Sequence, residues 1–132
     1  MICQCTRRMF VLAPLGAVVA TQADAANEFI AAAFRMKEQA VSAGDQAYGA
    51  VVVHAGNIIG WGPSRVRELG EWAGHAEREA IRDAQRRIRR DDLSGCAMYS
   101  TSRPCAACQC AAAQAKIARM YYGPEATDAG TP

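Results

Sequence analysis

A long hydrophobic run is missing from this chain of 132 residues. The nearest approach, residues 11–20, is broken by Pro14 and Gly16 and is too short for a stable membrane span. A charge excess is missing as well. Fifteen basic and 13 acidic residues leave +2, too little by itself to point to nucleic acid. Internal repeats and low-complexity tracts are absent. The six cysteines lack the spread of a disulfide framework. Cys3 and Cys5 sit at the extreme N-terminus, Cys96 stands alone, and Cys105, Cys108 and Cys110 fall within six residues. Such clustering fits metal binding better than disulfide pairing. What is present is an ordinary globular balance, 51% apolar and 21% charged, in a length that suits one domain with a real core.

Residues 1–25 differ from the rest. Thr6-Arg7-Arg8-Met9-Phe10 is basic and then turns apolar, residues 11–20 follow as a short apolar run, and Ala23-Asp24-Ala25 is a small-x-small cleavage sequence. This is the order of a secretory signal. The paired arginines followed by Phe10 resemble a twin-arginine signal, a route that exports folded proteins. The expectation is a leader over 1–25, cleaved after Ala25, on a periplasmic or secreted protein. The alternative is a non-native leader on a cytoplasmic one. Cleavage would leave 13 basic and 12 acidic residues and would remove Cys3 and Cys5 from any site.

Residues 27–43 read as a helix with Phe29, Ala33, Met36 and Ala40 along one stripe, capped by Asp24 or Asn27 and closed by Gly44. Residues 48–54 read as a strand buried on both faces, and Ile58-Ile59-Gly60-Trp61 as its hairpin partner across the turn Ala55-Gly56-Asn57. His54 is a surface residue at the hairpin end. Residues 62–74 read as a loop, with Ser64, Arg65 and Trp72 as possible substrate contacts. Residues 75–90 form a helix with a narrow apolar line and an arginine-rich outer face, read as solvated cations favoured toward its C-terminal end and not as a nucleic-acid surface. A strand at 97–101, an alanine-rich helix at 105–118 and a strand at 119–122 complete the domain, 26–123. A short, flexible tail, 124–132, follows. Strands joined through helices imply a layered α/β domain with parallel pairs in its sheet.

Two clusters carry chemistry: His75-Ala76-Glu77 and Pro104-Cys105-Ala106-Ala107-Cys108, 26 residues apart. Cys105 and Cys108 project from one side of a helix's first turn, where the helix N-terminus favours the metal-binding thiolate. His75 adds one imidazole nitrogen. Three ligands leave a fourth tetrahedral position for water, the catalytic pattern for zinc. Glu77 is not needed as a ligand and is free to move a proton. A redox Cys-x-x-Cys pair gives His75 and Glu77 no role. A closed structural zinc site completed by Cys96 and Cys110 leaves Glu77 idle. Those two cysteines read instead as plain buried residues.

The paired motif matches the H-x-E…P-C-x-x-C signature of zinc deaminases. With Gly49-Ala50-Val51-Val52-Val53 and Ile58-Ile59-Gly60 it makes residues 27–122 resemble the cytidine/deoxycytidylate deaminase superfamily. The resemblance is to the branch of guanine deaminases, cytosine deaminases and tRNA adenosine deaminases. It implies a three-layer α/β/α fold with a central mixed sheet of four to five strands. It also implies one Zn2+ held by His75, Cys105 and Cys108, with Glu77 as proton shuttle. The implied activity is hydrolytic deamination of a small-molecule base or nucleoside by a homodimer. Editing of tRNA adenosine, or a non-catalytic zinc-binding module on the same fold, are the alternative functions. Three departures stand out. Ser64 occupies the place of a base-holding Asn, Arg103 replaces an acidic residue before Pro104, and the chain stops soon after Tyr122. Candidate substrate contacts are Ser64, Ala76, Arg103 and Asp128, the last by a faint likeness of the tail to a guanine deaminase segment.

Overall fold

The computed structural model describes residues 21–132. Residues 1–20, with the paired arginines and the apolar run, lie outside the described residues. The expected cleavage sequence does not. Helix α1 runs Gln22–Ser42, starting five residues before the expected point. Its cap is Thr21, not Asp24 or Asn27. The Thr21 hydroxyl accepts from the Asp24 amide, and the Asp24 carboxylate accepts from the Thr21 amide at 3.1 Å, a reciprocal capping box. Ala23-Asp24-Ala25 therefore lies in helix, and Ala25 and Ala26 pack against the core. Cleavage after Ala25 would remove this capping turn.

Strands β1 (Gly49–His54) and β2 (Asn57–Pro63) form the expected hairpin. Ala55 and Gly56 both take positive φ at its tip, as two-residue hairpin turns require. Within the expected loop a single turn of helix, α2 (Val66–Leu69), appears. Helix α3 (Ala76–Ile88) and strand β3 (Ala97–Ser100) follow. Helix α4 is Ala106–Gln114, shorter than expected. Lys116, at φ 65, reverses the chain there, and Ile117 drops into the core ahead of β4 (Arg119–Tyr122). The tail holds further regular structure. Thr127–Gly130 is a fifth strand, β5, antiparallel to β4. It is held where Arg119 Nε donates to Asp128 Oδ1 at 3.0 Å.

The five strands form one mixed sheet in the order β2-β1-β3-β4-β5, with β3 and β4 as its parallel pair. Alternation along the strands sorts the core into two halves. Val51, Val53 and Tyr99 face α1 with Phe29 and Ile30. Ala50, Val52, Met98 and Met120 face α3 and the alanines of α4. The result is the three-layer α/β/α arrangement with β1 buried on both faces.

Helix α3 lies close on β2 because that strand offers bare backbone. A methyl group at Gly62 would run into the Ala76 carbonyl and stand 2.6 Å from the Ala80 nitrogen, and one at Gly60 would stand 2.7 Å from the Ala84 Cβ. These contacts set the height of the turn that carries His75 and Glu77.

Two outcomes follow from these contacts. Gly62→Ala forces α3 off the sheet, and the overpacking costs about 1–3 kcal/mol, measured as a lower denaturant midpoint at unchanged m-value. Thr21→Ala costs about 1 kcal/mol by losing the α1 cap, read by the same titration. A Gly62→Ala protein of unchanged midpoint would refute the close seating of α3.

Candidate metal centre

His75 is the residue capping α3, and Cys105 is the residue capping α4. Both helices sit on one face of the sheet, so their N-terminal ends meet where β2 and β3 finish. His75 Nδ1 lies 3.3 Å from Cys108 Sγ and 3.6 Å from Cys105 Sγ. The three donor atoms all fall within 4.8 Å of one another. A tetrahedral zinc with bonds of about 2.0–2.3 Å has ligand-to-ligand edges of roughly 3.5–3.8 Å. One imidazole nitrogen and two sulfurs at these separations fit that ion.

The surroundings fit it too. Burial and the neighbouring Glu77 carboxylate push the Cys108 thiol well up from its ordinary value, so a thiolate there calls for a positive charge beside it. His75 Nε2, the nitrogen facing away from the sulfurs, lies 3.5 Å from Glu71 Oε1. A carboxylate on the outer nitrogen is the usual orienting partner of a metal-bound histidine. Cys96 is buried in the core and takes no part in the cluster. Cys110, expected to be buried, is exposed on α4. No closed four-ligand site is assembled among the described residues.

Glu77 is 7% exposed. The Cys108 Sγ donates toward its Oε2 at 3.6 Å. Burial raises its carboxyl above the ordinary carboxylate range, while hydrogen bonds from its own backbone and Cys108, and the charge of His75, draw it back. Unlike Glu79 two residues on, which is ringed by Arg65, Arg82 and Arg86, it has no arginine or lysine partner among the described residues.

A cavity of about 600 Å³ opens beside these groups. Ala76 and Arg103, both expected at the site, line it with His75, Glu77 and Cys105. Ser64 does not. It is buried, and its hydroxyl donates to Asp45 Oδ1 at 3.0 Å. Asp128 lies on β5 against Arg119 and is outside the cavity. Arg65 pairs with Glu68 and Glu79. Trp72 is exposed and tilts over the His75 ring with centroids 6.0 Å apart. The sequence reading missed Gln46, Ala47, Tyr48, Glu71 and Ser102, which also line the cavity. For Glu71 a signal existed, its place one helical turn before His75. For Gln46-Ala47-Tyr48 the only signal was position, just ahead of the first strand.

The arginines of α3 are largely engaged. Arg82 donates to Glu79 at 2.8 Å and to the Ala73 carbonyl, and Arg86 and Arg87 pair with Asp83. Arg78 and Arg89, on the same outer face, have no carboxylate partner among the described residues. Among the described residues no helix is long and apolar enough to cross a membrane.

Comparison with known proteins places this geometry. The family model for the cytidine and deoxycytidylate deaminase zinc-binding region matches residues 23–124. A tRNA-specific adenosine deaminase of Aquifex aeolicus is 34% identical over 94 residues, covering 71% of this chain and 62% of that protein. A guanine deaminase of Bacillus subtilis is 35% identical over 82 residues, covering 62% of this chain and 53% of that protein. The chain thus spans less than two thirds of the length of either relative. The solved structure of guanine deaminase from Bacillus subtilis superposes with a TM-score of 0.68 at 31% identity, covering 73% of this chain and 62% of that one. A structure from work on A-to-I editing by tRNA:A34 deaminases superposes with a TM-score of 0.69 at 34% identity, covering 73% and 70%. With its layered fold, its His-Cys-Cys cluster and this match over most of its length, the chain belongs to the cytidine and deoxycytidylate deaminase zinc-binding family.

Proposed function

We propose that the protein is a zinc-dependent hydrolase that replaces the amino group of a nucleobase or nucleoside by an oxo group and releases ammonia. The observation that carries this reading is Glu77, a buried carboxylate without an arginine or lysine partner among the described residues, 3.6 Å from one sulfur of a three-donor cluster at the cavity wall. His75, Cys105 and Cys108 would hold zinc, which supplies Lewis acidity that makes water a nucleophile near neutral pH. Glu77 takes the proton from that water at a carboxylate oxygen and delivers it to a ring nitrogen of the substrate. The oxygen adds to the amino-bearing carbon as a hydroxyl. Glu77 then takes that hydroxyl's remaining proton and passes it to the amine, so that the C–N bond breaks as the C=O bond forms and ammonia leaves. A carboxyl raised by burial suits a group that must both accept and donate. The remaining lining residues orient the ring and exclude bulk water.

Deamination of adenosine within tRNA is a second reading, supported by relatives named as tRNA-specific adenosine deaminases. The pairing of Arg82, Arg86 and Arg87 with carboxylates weighs against that part of α3 as its docking face, since a polynucleotide site requires several free cations.

Purified protein is expected to hold about one zinc per chain. Cys108→Ser weakens zinc binding by more than about 100-fold, beyond the loss typical of an outer-shell partner, in a chelator competition. Glu77→Ala keeps the zinc and lowers ammonia release by about 10²–10⁴-fold. Full ammonia release by the Glu77→Ala protein, or none by the wild type from any base, nucleoside or tRNA, would overturn the proposal.

A further inference from the structure

Few large apolar side chains are left in water. Among the described residues they are Val41, Tyr48, Leu69 and Trp72, and Trp72 is the most open at 64%. Its indole lies tilted over the His75 imidazole, with centroids 6.0 Å apart and planes at 38°, within the range of a favourable aromatic pair. The other aromatic pairs, Phe29 with Tyr99 and Tyr99 with Tyr121, belong to the core beneath α1. Trp72 does not owe its place to burial. It sits in the turn 71–74, whose backbone is tied down at several points. The Gly74 amide donates to the Gly70 carbonyl at 2.9 Å, the Arg65 amide donates to the Gly74 carbonyl at 2.8 Å, and Arg82 donates to the Ala73 carbonyl. A methyl group at Gly74 would run into the Val66 backbone, so the turn also rests directly on α2. Trp72 and Glu71 precede His75 by three and four residues, the spacing that brings side chains to one side of a helical turn. Glu71 reaches Nε2 of the same ring at 3.5 Å, but its side chain is 61% exposed, so water and salt weaken that contact.

We propose that Trp72 is a positioning residue of the metal centre: packed on the His75 imidazole, it keeps Nδ1 turned to the two sulfurs and slows the loss of zinc. This rests on the zinc-binding part of the reading above and not on the reaction. Two physical effects favour the loaded state. The first is conformational. A side chain that becomes a ligand loses rotamer freedom, and a ring already held by Trp72 and Glu71 has less of it to lose. The second is electrostatic. An imidazole bound to a cation is electron-poor, and indole attracts positive charge better than any other side-chain ring. The contact is therefore stronger with the metal than without it, and only such a difference shifts a binding equilibrium. A role in holding the substrate accounts for the indole less well, because Trp72 is not among the residues that line the cavity, whereas Tyr48 is.

The test uses the zinc-loaded full chain and follows zinc release into excess chelator. Trp72→Ala is expected to release zinc faster than wild type by about 10-fold or more, the range for outer partners of a metal ligand. Trp72→Phe, which keeps a ring over His75, recovers most of the difference. Leu69→Ala, which trims an exposed side chain of the same segment, stays within about twofold of wild type, as surface substitutions do. Cobalt-substituted protein supplies a signature that a merely structural role would not move. The cobalt–thiolate absorption bands of Trp72→Ala are shifted from those of wild type, and those of Leu69→Ala are not. Unchanged zinc release and cobalt bands in Trp72→Ala overturn the inference and leave the deaminase reading standing. A raised KM for ammonia release would then mark Trp72 as a substrate contact. Equal acceleration by Leu69→Ala overturns it too, since the segment and not the indole would be holding the ring. If Trp72→Ala loses zinc faster but wild type releases no ammonia from any base, nucleoside or tRNA, the deaminase reading falls and the inference stands. A wild type that holds no zinc sinks both.

Discussion

Helix α3 occupies the space that side chains at positions 60 and 62 would fill. Everything at the cavity depends on that contact. It brings the helix axis close to the sheet's edge strand, and Asp83 reinforces it by accepting the Trp61 amide at 2.9 Å. The first turn of α3 then ends level with the exit of β3, from which the chain passes through Pro104 into α4. Two helices begun on one face of a sheet must present their N-terminal ends near each other if their strands finish together. His75 and Cys105, one at each of these ends, meet for that reason. The cluster is thus a product of backbone packing, and its donor separations are inherited from the glycine-to-helix contact.

The same short stretch of α3 carries two buried carboxylates with opposite surroundings. Glu79 faces Arg65 at 3.2 Å and Arg82 at 2.8 Å. It fastens the 62–74 segment to the helix, an arrangement that offsets the cost of burying its charge. Glu77, two positions earlier, turns to the other side and faces sulfur. A structural carboxylate is buried with its partners, whereas one buried without them is costly and is retained where chemistry needs it. The contrast within one helix turn separates the residue that holds the loop from the residue proposed to move protons.

Much of this was legible in the sequence, and the limits have physical causes. The two motifs could be placed at helix starts because Pro104 and the cysteine spacing mark one start and a loop precedes the other. The hairpin was legible from a valine run and an Ala-Gly turn. The strand β5 was not, because Thr127-Asp128-Ala129-Gly130 has no apolar alternation and owes its conformation to pairing with β4 and to Arg119. The early start of α1 was hidden by Ala23-Asp24-Ala25, three residues that serve equally as a cleavage sequence and as a capped first turn. Cys110 was expected to be buried because cysteine usually is, yet it falls on the solvent side of α4. Gln46 and Ala47 entered no expectation, and Tyr48 only as the first residue of a strand, because a wall built from a connecting segment has no periodicity to reveal it.

Ser64 was expected as a substrate contact. Its hydroxyl, however, joins the amides of Gln46, Val66 and Arg67 in donating to the Asp45 carboxylate. Four donors converge on one side chain, tying the segment before β1 to the segment after β2. A carboxylate gathering that many hydrogen bonds fixes both segments, and one of them carries Gln46, Ala47 and Tyr48 along the cavity wall.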